Sequence, residues 1–257
     1  MAPPGAPPVP PAARPGAVPV RDPPPTSPPP EGPPRRGGGS FLLREMAARR
    51  EEEAEGAVPT VTEIPPWASP LGAKDIVQYP DPRLRAPNAK VGVFDDRLRA
   101  LAEEMLAVMY EDDGVGLAAP QLGINLRLMV FNEEGDPAQK DKERVLVNPR
   151  IVSRSKKTDR GEEGCLSFRD AGGLLLGDVD RARDIRVRAQ DLEGRRFELS
   201  LAGWTARIFQ HEFDHLQGTL LADRFVPESL AAQRGRLVAM EDAFAAAHPG
   251  TEIRRLQ

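Results

Sequence analysis

The chain has 257 residues, of which 40% are hydrophobic, and its formal net charge is −4. This length and composition suffice for one ordinary globular domain with its own core. Because the charge is near neutral and no basic stripe is present, we predict no direct binding of nucleic acid. No segment is long and apolar enough to span a bilayer, and the N-terminus lacks the apolar run of a secretory signal. We therefore expect neither membrane association nor export.

The start of the chain differs in composition from the rest. Sixteen of the 28 prolines lie in the first 34 residues, and residues 1–39 lack the apolar side chains that would offset the entropy of ordering a backbone. We predict that residues 1–70 form a disordered Pro/Gly/Arg-rich extension and linker, and that a folded domain occupies residues 71–257. The extension is either an organelle-targeting segment, which would place the protein inside a plastid or mitochondrion, or a plain tail on a cytoplasmic protein. The single cysteine favours a reducing compartment in both cases.

In the first half of the predicted domain, residues 76–79 are predicted to form a short extended segment. A helix is predicted to follow, with Asp95 or Asp96 as its N-cap. The apolar residues that fall at helical spacing are Leu98, Leu101, Met105, Leu106 and Met109. Residues 126–131 and 145–152 are apolar enough for strands. Alternating apolar and arginine residues at 185–189 predict a half-buried strand, which a turn at 191–194 joins to residues 197–201 in a hairpin.

Two histidines carry the main functional signal. His211 and His215 stand four residues apart, so a helix places both imidazoles on one face with Glu212 beside them. This HExxH pattern is typical of a metal site with its own acid/base, although an isolated match also arises by chance on a charged helix. Because the chain has only three histidines and one cysteine, Cys165 is the expected third ligand. A fourth position would remain for water.

The histidines lie on a helix that we expect Thr205 to cap and Gly218 to end. Trp204 and Ile208 continue the face that carries the histidines, which predicts an apolar pocket beside the metal. A last amphipathic helix is predicted to start at Pro227 and end near residue 247. The whole pattern predicts an α+β domain in which antiparallel strands pack around a central metal-binding helix, with a C-terminal amphipathic helix.

Three segments together resemble one family. They are the glycine-containing run at residues 114–121 (GVGLAAPQ), the run around the only cysteine at residues 163–167 (EGCLS), and the histidine helix at residues 210–216 (QHEFDHL). In this order they resemble the motifs of the peptide deformylase family, of the type found in plastids and many bacteria. The resemblance extends from about residue 79 to residue 225 and leaves out the Pro-rich start.

The resemblance implies a reaction and roles for individual residues. Cys165, His211 and His215 would bind one divalent metal ion, Fe²⁺ or Zn²⁺, and Glu212 would be the general acid/base. The reaction would remove the N-formyl group from the N-terminal formyl-methionine of newly synthesised polypeptides and release formate.

The family also implies oxyanion donors and a substrate pocket. The side-chain amide of Gln121 and the backbone N–H of Leu166 would hold the oxyanion. The methionine side chain would enter the apolar pocket, with Val115, Ile208 and Trp204 as walls, while Gly116 and Gly164 belong to the surface that the peptide approaches. The partners would be formyl-methionyl nascent chains near the ribosome, and the protein would be a monomer or homodimer.

The sequence departs from the family pattern at two places. Residues 169–178 replace a shorter proline-containing segment, and we expect them to form a glycine-hinged loop or a distorted edge strand beside the cleft. Trp204 stands where the family more often has leucine, and we expect the bulkier ring to narrow the pocket.

Two other functions remain open from the sequence. A zinc endopeptidase also uses HExxH, and Gly218 fits its longer form, but Leu221 stands at the third-histidine position. A downstream glutamate ligand, Glu228 or Glu241, would leave Cys165 unexplained. A metal-binding relic disabled by the insertion would keep the site without turnover.

Two further acidic residues are open as well. Asp214 could orient a histidine, which we favour slightly, or bind an arginine or backbone group. Glu163 could pair with Arg181 and brace the cysteine segment.

Overall fold

The structure is a computed structural model that describes residues 58–64 and 76–256. Most of the predicted disordered extension and linker, residues 1–70, lies outside this range. Within it, strands and helices form one mixed α and β fold, as predicted. The elements in chain order are β1 (Thr60–Val61), β2 (Lys90–Val91), α1 (Asp96–Glu111), β3 (Gly116–Ala118), β4 (Leu128–Asn132), β5 (Glu143–Arg154), β6 (Thr158–Asp170), β7 (Gly173–Ala182), β8 (Asp184–Gln190), β9 (Arg196–Ala202), α2 (Gly203–Leu216) and α3 (Pro227–Ala247).

The larger sheet has five antiparallel strands in the order β3-β4-β5-β8-β9. Its β8–β9 hairpin confirms the prediction from the alternating arginines, since Ile185, Val187 and Ala189 are buried while Arg186 is exposed. The alternation sends the apolar side chains toward α2, whose Ala206, Ile208 and Phe209 belong to the same core cluster. Strand alternation therefore fixes which face of the sheet receives the histidine helix.

A long β6–β7 hairpin stands apart from this sheet. Its strands pair from Thr158 opposite Ala182 to Asp170 opposite Gly173, with an irregularity between Gly164 and Arg169 where β6 has extra residues. The segment predicted to be a loop or distorted edge strand, residues 169–178, is the tip of this hairpin and most of β7. It has a turn at residues 171–172 and then a strand whose pairing with β6 is irregular at residues 174–176. The distorted edge strand is therefore confirmed, and the expected glycine hinge is confined to the turn.

Helix α1 follows the sequence prediction closely. The side chain of Asp95 accepts a hydrogen bond of 3.0 Å from the amide of Leu98, and so caps the N-terminus. All five apolar residues that fell at helical spacing are buried, and the helix ends at Glu111 with Asp112 as its C-cap.

Helix α2 begins earlier than predicted. Its first residue is Gly203, and Ala202 occupies the N-cap position without a side-chain hydrogen bond. The prediction that Thr205 caps the helix is therefore wrong, because its hydroxyl donates instead to the carboxylate of Glu133 in the turn after β4. The predicted end is confirmed, since Gly218 has a φ of +67° and its amide donates to the carbonyl of His215.

Helix α3 has the predicted bounds, but its two faces differ only weakly in polarity. Leu237 and Glu241 are its only buried residues, and Leu230 and Met240 pack partly against the third core cluster. Alanines cover much of the opposite face, so the two faces differ less in polarity than the prediction required. Among the described residues, no helix combines the length and the apolar character needed to cross a membrane.

Part of the predicted linker packs on the domain. Strand β1 pairs in parallel with β2, Thr60 opposite Lys90 and Val61 opposite Val91, and Ile64 lies buried in the largest core cluster. This pair is also an exception to the antiparallel pattern. The boundary at residue 71 remains a prediction for the neighbouring residues, which the structure does not describe.

Candidate active site

Three possible metal ligands converge from two elements. Cys165 comes from β6, and His211 and His215 come from α2; one ligand atom of each lies within 4.8 Å of the others. The Cys165 Sγ atom is 3.3 Å from the His215 Nε2 atom, and the two residues are only 3% and 1% exposed. These three residues are the group that the sequence predicted.

Polar side chains fix the position of α2 at its C-terminal turn and near its middle. The amide of Asn88 donates to the carbonyls of His215 and Leu216 at 3.2 Å, and so binds the C-terminal turn. Near the middle, Gln210 donates to the carbonyl of Ala182 at 2.8 Å and accepts from its amide at 3.2 Å. Gln210 belongs to the motif, but its role as a link between the helix and β7 was not predicted.

Glu163 orients His211. Its Oε2 atom lies 3.0 Å from the His211 Nδ1 atom, so Nε2 is the ring nitrogen that faces the possible cation. The same carboxylate accepts two hydrogen bonds from Arg181, at 3.0 and 2.9 Å, and one from Arg207 at 2.7 Å. Burial alone would raise the pKa of Glu163, but the bonds from His211 and Arg181 hold it well below its usual range.

The contacts of Asp214 correct our favoured interpretation of it. Its carboxylate bonds to Arg181 and, at 2.7 and 3.0 Å, to Arg224. Glu163, and not Asp214, orients a histidine, whereas Asp214 binds arginines, which was the alternative. Arg181 thus lies between Glu163 and Asp214, and its pairing with Glu163 is the one that the sequence suggested. The result is a buried chain of alternating charges behind the ligands.

The electrostatics of the three ligand residues suit a cation. Burial lowers the pKa of His215 well below its ordinary value, as do the charges of His211 and Arg181, so the ring is neutral and able to bind metal. Burial would also lower the pKa of His211, but the charge and hydrogen bonds of Cys165 and Glu163 raise it well above its ordinary value. The site therefore attracts positive charge between His211 and Cys165, and these residues fit a divalent metal ion.

Glu212 is buried beside the ligands and has room for proton transfer. Burial raises its pKa to about 7, and its Oε2 atom has no hydrogen-bond partner within the described part of the chain. A Cβ atom at Gly116 would lie 2.5 Å from the Glu212 Oε1 atom. The glycine that the sequence assigned to peptide approach is therefore also required for Glu212 to fit.

Gln121 presents its amide nitrogen to the cysteine. Its Oε1 atom accepts a hydrogen bond of 2.8 Å from the amide of Ala118, which fixes the orientation of the side chain. The Nε2 atom then lies 3.7 Å from the Cys165 Sγ atom and 3.3 Å from the Ser167 hydroxyl. Leu166 follows in β6, and its carbonyl accepts a hydrogen bond of 3.0 Å from the side chain of Gln78.

A cavity of about 260 Å³ opens from these groups to solvent. Every site residue predicted from the sequence except His215 lines it, and His215 lies beneath. Trp204 is 53% exposed, and its indole nitrogen donates to the carbonyl of Glu133 at 3.1 Å. It therefore stands at the mouth of the cavity, and whether the ring narrows the pocket stays a prediction.

Two of the apolar residues that line the cavity, Leu174 and Leu176, were not among the predicted site residues. They are 36% and 40% exposed, with Leu175 buried between them. Strand alternation in the run of three leucines is the signal that could have identified them. Gly164 faces this pair, since a Cβ atom there would lie 2.7 Å from the Leu176 Cδ2 atom.

Comparison with known proteins gives consistent matches. The family model described as polypeptide deformylase matches residues 73–230. The chloroplastic peptide deformylase 1B of Solanum lycopersicum is 49% identical over 66% of this chain and 59% of its own length. The peptide deformylase of Thermotoga neapolitana is 40% identical over 62% of this chain and 92% of its own length.

Solved structures of the same kind also match. The crystal structure of a plant peptide deformylase 1B is 43% identical, with a TM-score of 0.66, over 71% of this chain and 96% of that chain. A peptide deformylase from Plasmodium falciparum is 36% identical, with a TM-score of 0.64, over 69% of this chain and all of that chain.

The match to the tomato relative leaves about two fifths of that relative's length uncovered. The family model nevertheless matches more than half of this chain and includes all three sequence motifs and every site residue described above. The chain belongs to the peptide deformylase family.

Proposed function

We propose that this protein removes the N-formyl group from the N-terminal formyl-methionine of newly synthesised polypeptides and releases formate. One observation supports this most directly. The buried carboxylate of Glu212 lies beside three convergent ligand residues at the floor of an apolar cavity of about 260 Å³. Such a floor suits metal-assisted hydrolysis, because a buried acid/base group stands beside the residues that would hold the ion.

Cys165, His211 and His215 would hold one divalent ion, which makes α2 the central metal-binding helix of the fold. A thiolate with two imidazoles accepts both Fe²⁺ and Zn²⁺. When bound, the ion supplies Lewis acidity toward water and the formyl oxygen. Glu163 keeps the His211 Nδ1 atom engaged, so the ring is oriented with Nε2 toward the ion.

Glu212 moves the proton in this proposal. It accepts one proton from the attacking water, whose oxygen bonds to the formyl carbon, and gives that proton to the amine nitrogen as the C–N bond breaks. A pKa of about 7 for this buried carboxyl suits both steps near neutral pH, because the group exchanges protons readily in either direction.

Two donors would stabilise the oxyanion that forms on the substrate. The Nε2 atom of Gln121 already points to the cysteine, and its orientation is set by the bond from Ala118 to its own oxygen. The backbone N–H of Leu166 would be the second donor. Donors fixed before reaction stabilise a developing negative charge without reorganisation.

The methionine side chain would occupy the apolar part of the cavity. Val115 and Ile208 would contact it within the cavity, and Trp204 would contact the chain at the mouth. Gly164 lies on the exposed edge of β6, where the peptide backbone would pass.

The names of several relatives suggest where the reaction takes place. The relatives from Solanum lycopersicum and Arabidopsis thaliana are described as chloroplastic and as chloroplastic/mitochondrial. We extend this to an organelle interior for the present protein, with residues 1–70 as the extension and linker and residues 71–257 as the catalytic domain. Nascent chains near the ribosome would be the partners of a monomer or homodimer.

The test compares formyl-Met-Ala-Ser with Met-Ala-Ser on protein purified without oxygen, together with analysis of bound metal. The proposal expects about one equivalent of Fe²⁺ or Zn²⁺ and one formate for each free amine released. Cleavage between residues of the unformylated peptide would support an endopeptidase instead. Bound metal without turnover of either peptide would support a relic. Both outcomes would overturn the proposal.

A further inference from the structure

A second concave surface lies along β5, β8 and β9, and it shares no lining residue with the cavity that carries the histidines. It has a volume of about 540 Å³, and five of its lining side chains are cationic: Lys90, Arg127, Arg150, Arg188 and Arg196. We call this surface the basic groove. Val187 and Ala189 point from β8 into the core shared with α2, so Arg188 between them points the other way. The groove is therefore separate from the cavity that carries the histidines.

The basic groove holds a local excess of positive charge at Arg150 and Arg196. Arg150 stands directly opposite Arg188 in the β5–β8 pairing, and like charges in that position destabilise a sheet. Glu198 is the single carboxylate that lines the groove, and it is already bonded to Arg188 and Arg186. Among the described residues, Arg150 and Arg196 form no ion pair. The whole chain has a net charge of −4, so this excess is local.

The floor of the groove is fixed by hydrogen bonds. Asn148, with a φ of +51°, donates to the carbonyl of Val91 and to Gln190 Oε1, both at 2.8 Å. Phe197 packs partly against the core and is the one aromatic residue that lines the groove. The groove thus offers guanidinium groups, which bind phosphate oxygens in pairs, and no stacking surface for bases.

We propose that the basic groove binds the phosphate backbone of single-stranded RNA without reading its sequence. A flexible single strand can place successive phosphates inside a groove of about 540 Å³, whereas a rigid duplex is too wide to enter a space of this size. This replaces the expectation, drawn from the net charge, that the protein contacts no nucleic acid. Net charge averages over the surface and does not detect a local excess. The inference goes beyond the proposed deformylation and does not depend on it.

The test measures binding of a fluorescein-labelled oligo(U) RNA by the full chain at several salt concentrations. The double variant Arg150→Gln and Arg196→Gln should bind at least ~10-fold more weakly at low salt. The slope of log affinity against log salt should fall by about 0.7 for each arginine that contacts a phosphate. The matched control is Lys156→Gln with Arg254→Gln, two exposed residues outside the groove, which changes the net charge equally and should bind like the original protein.

Three outcomes would overturn the proposal. The first is an equal loss of binding in the control variant, which would mean that RNA senses only the overall charge. The second is no measurable RNA binding by the original protein. The third is protection from unfolding by tripolyphosphate without RNA binding, which would indicate a site for a small anion. Hydrolysis of formyl-Met-Ala-Ser is measured separately, so failure of either proposal can be distinguished from failure of the other.

Discussion

At the floor of the cavity, Cys165 and His215 are buried in front of a network of charged side chains. By contrast, Leu174 and Leu176, which line the cavity from the β6–β7 hairpin and which we call the rim, are 36% and 40% exposed. The floor ligands cannot move without separating charges that have lost their water. The rim leucines alternate with the buried Leu175, so their own side chains make few buried contacts compared with those of the floor ligands. The chemistry is thus fixed where packing is dense, and the surface that meets the rest of the peptide is adjustable.

The contacts that hold the two regions differ in the same way. Behind the floor, the side chains of Arg181 and Glu163 are only 6% and 5% exposed in their ion pair. At the rim, Arg236 of α3 binds Asp170 at 2.5 Å, with the two side chains 33% and 26% exposed. Arg236 also donates to the carbonyl of Gly173 at 2.9 Å, and Gln233 donates to that of Leu176 at 2.9 Å. Buried pairs are costly to break, whereas solvent weakens exposed ones.

The largest effect on bound metal and on deformylation should come from removing a proposed metal ligand at the floor of the cavity. Cys165→Ala leaves two protein ligands, and we expect the isolated variant to contain no bound metal and to show no deformylation. His248→Ala is a suitable control, because it removes the only histidine outside the site. Metal analysis of both purified variants decides the matter. Full occupancy in Cys165→Ala would exclude the cysteine as a ligand.

The second effect concerns the buried network. Arg181→Met leaves Glu163 and Asp214 facing each other without their shared cation, and breaking such a buried pair costs about 3–5 kcal/mol in the free energy of unfolding. Arg160→Met is the matched control on the same hairpin, since Arg160 and Asp180 form an ion pair in which both side chains are about half exposed. Urea unfolding should show a large decrease in the free energy of unfolding for Arg181→Met and little change for Arg160→Met. Equal losses would contradict the distinction between floor and surface.

A third effect separates chemistry from structure within the floor itself. Glu212→Ala should keep the fold and the metal but slow deformylation at least ~10²-fold, because the proton transfer loses its acid/base. Glu162→Ala, which removes an exposed carboxylate that also lines the cavity, should turn over normally. The measurement is kcat on formyl-Met-Ala-Ser with metal content determined in parallel. Near-normal kcat in Glu212→Ala would remove this residue from the mechanism.

Local patterns in the sequence were enough to predict much of the fold and the group of three ligands. Helical spacing identified the buried face of α1, and the interval of four residues placed both histidines on one face of α2. What local patterns could not supply was the choice between partners far apart in sequence. Glu163 and Asp214 are both acidic residues close in sequence to possible metal ligands. Only the packing of β6 against α2 determines that Glu163 is the one that bonds to a histidine.

Partners that are distant in sequence also explain why the prediction for Thr205 was wrong and the prediction for Gly116 was incomplete. A threonine near a helix start favours capping, yet Glu133 in the turn after β4 competes for its hydroxyl. A glycine in a loop suggests close approach by a ligand, yet here the nearby atom is the Glu212 carboxylate. In both cases the deciding group comes from another element, and its position depends on the tertiary fold.

The smallest effect should come from the rim. Arg236→Ala frees the tip of the β6–β7 hairpin from α3, and because exposed ion pairs contribute about 0.2–1 kcal/mol, KM for a longer formyl-peptide should rise only about 1.5- to 5-fold. KM for formyl-Met-Ala should stay unchanged, since that substrate ends before the hairpin tip, and kcat should stay unchanged for both. Arg254→Ala, an exposed arginine with no contact to the hairpin, serves as the control. Replacing residues 169–178 with a shorter regular strand should change KM for the longer formyl-peptide, relative to KM for formyl-Met-Ala, more strongly than Arg236→Ala does. If both substrates respond equally, the hairpin tip does not contact the peptide, and the rim has no part in selecting it.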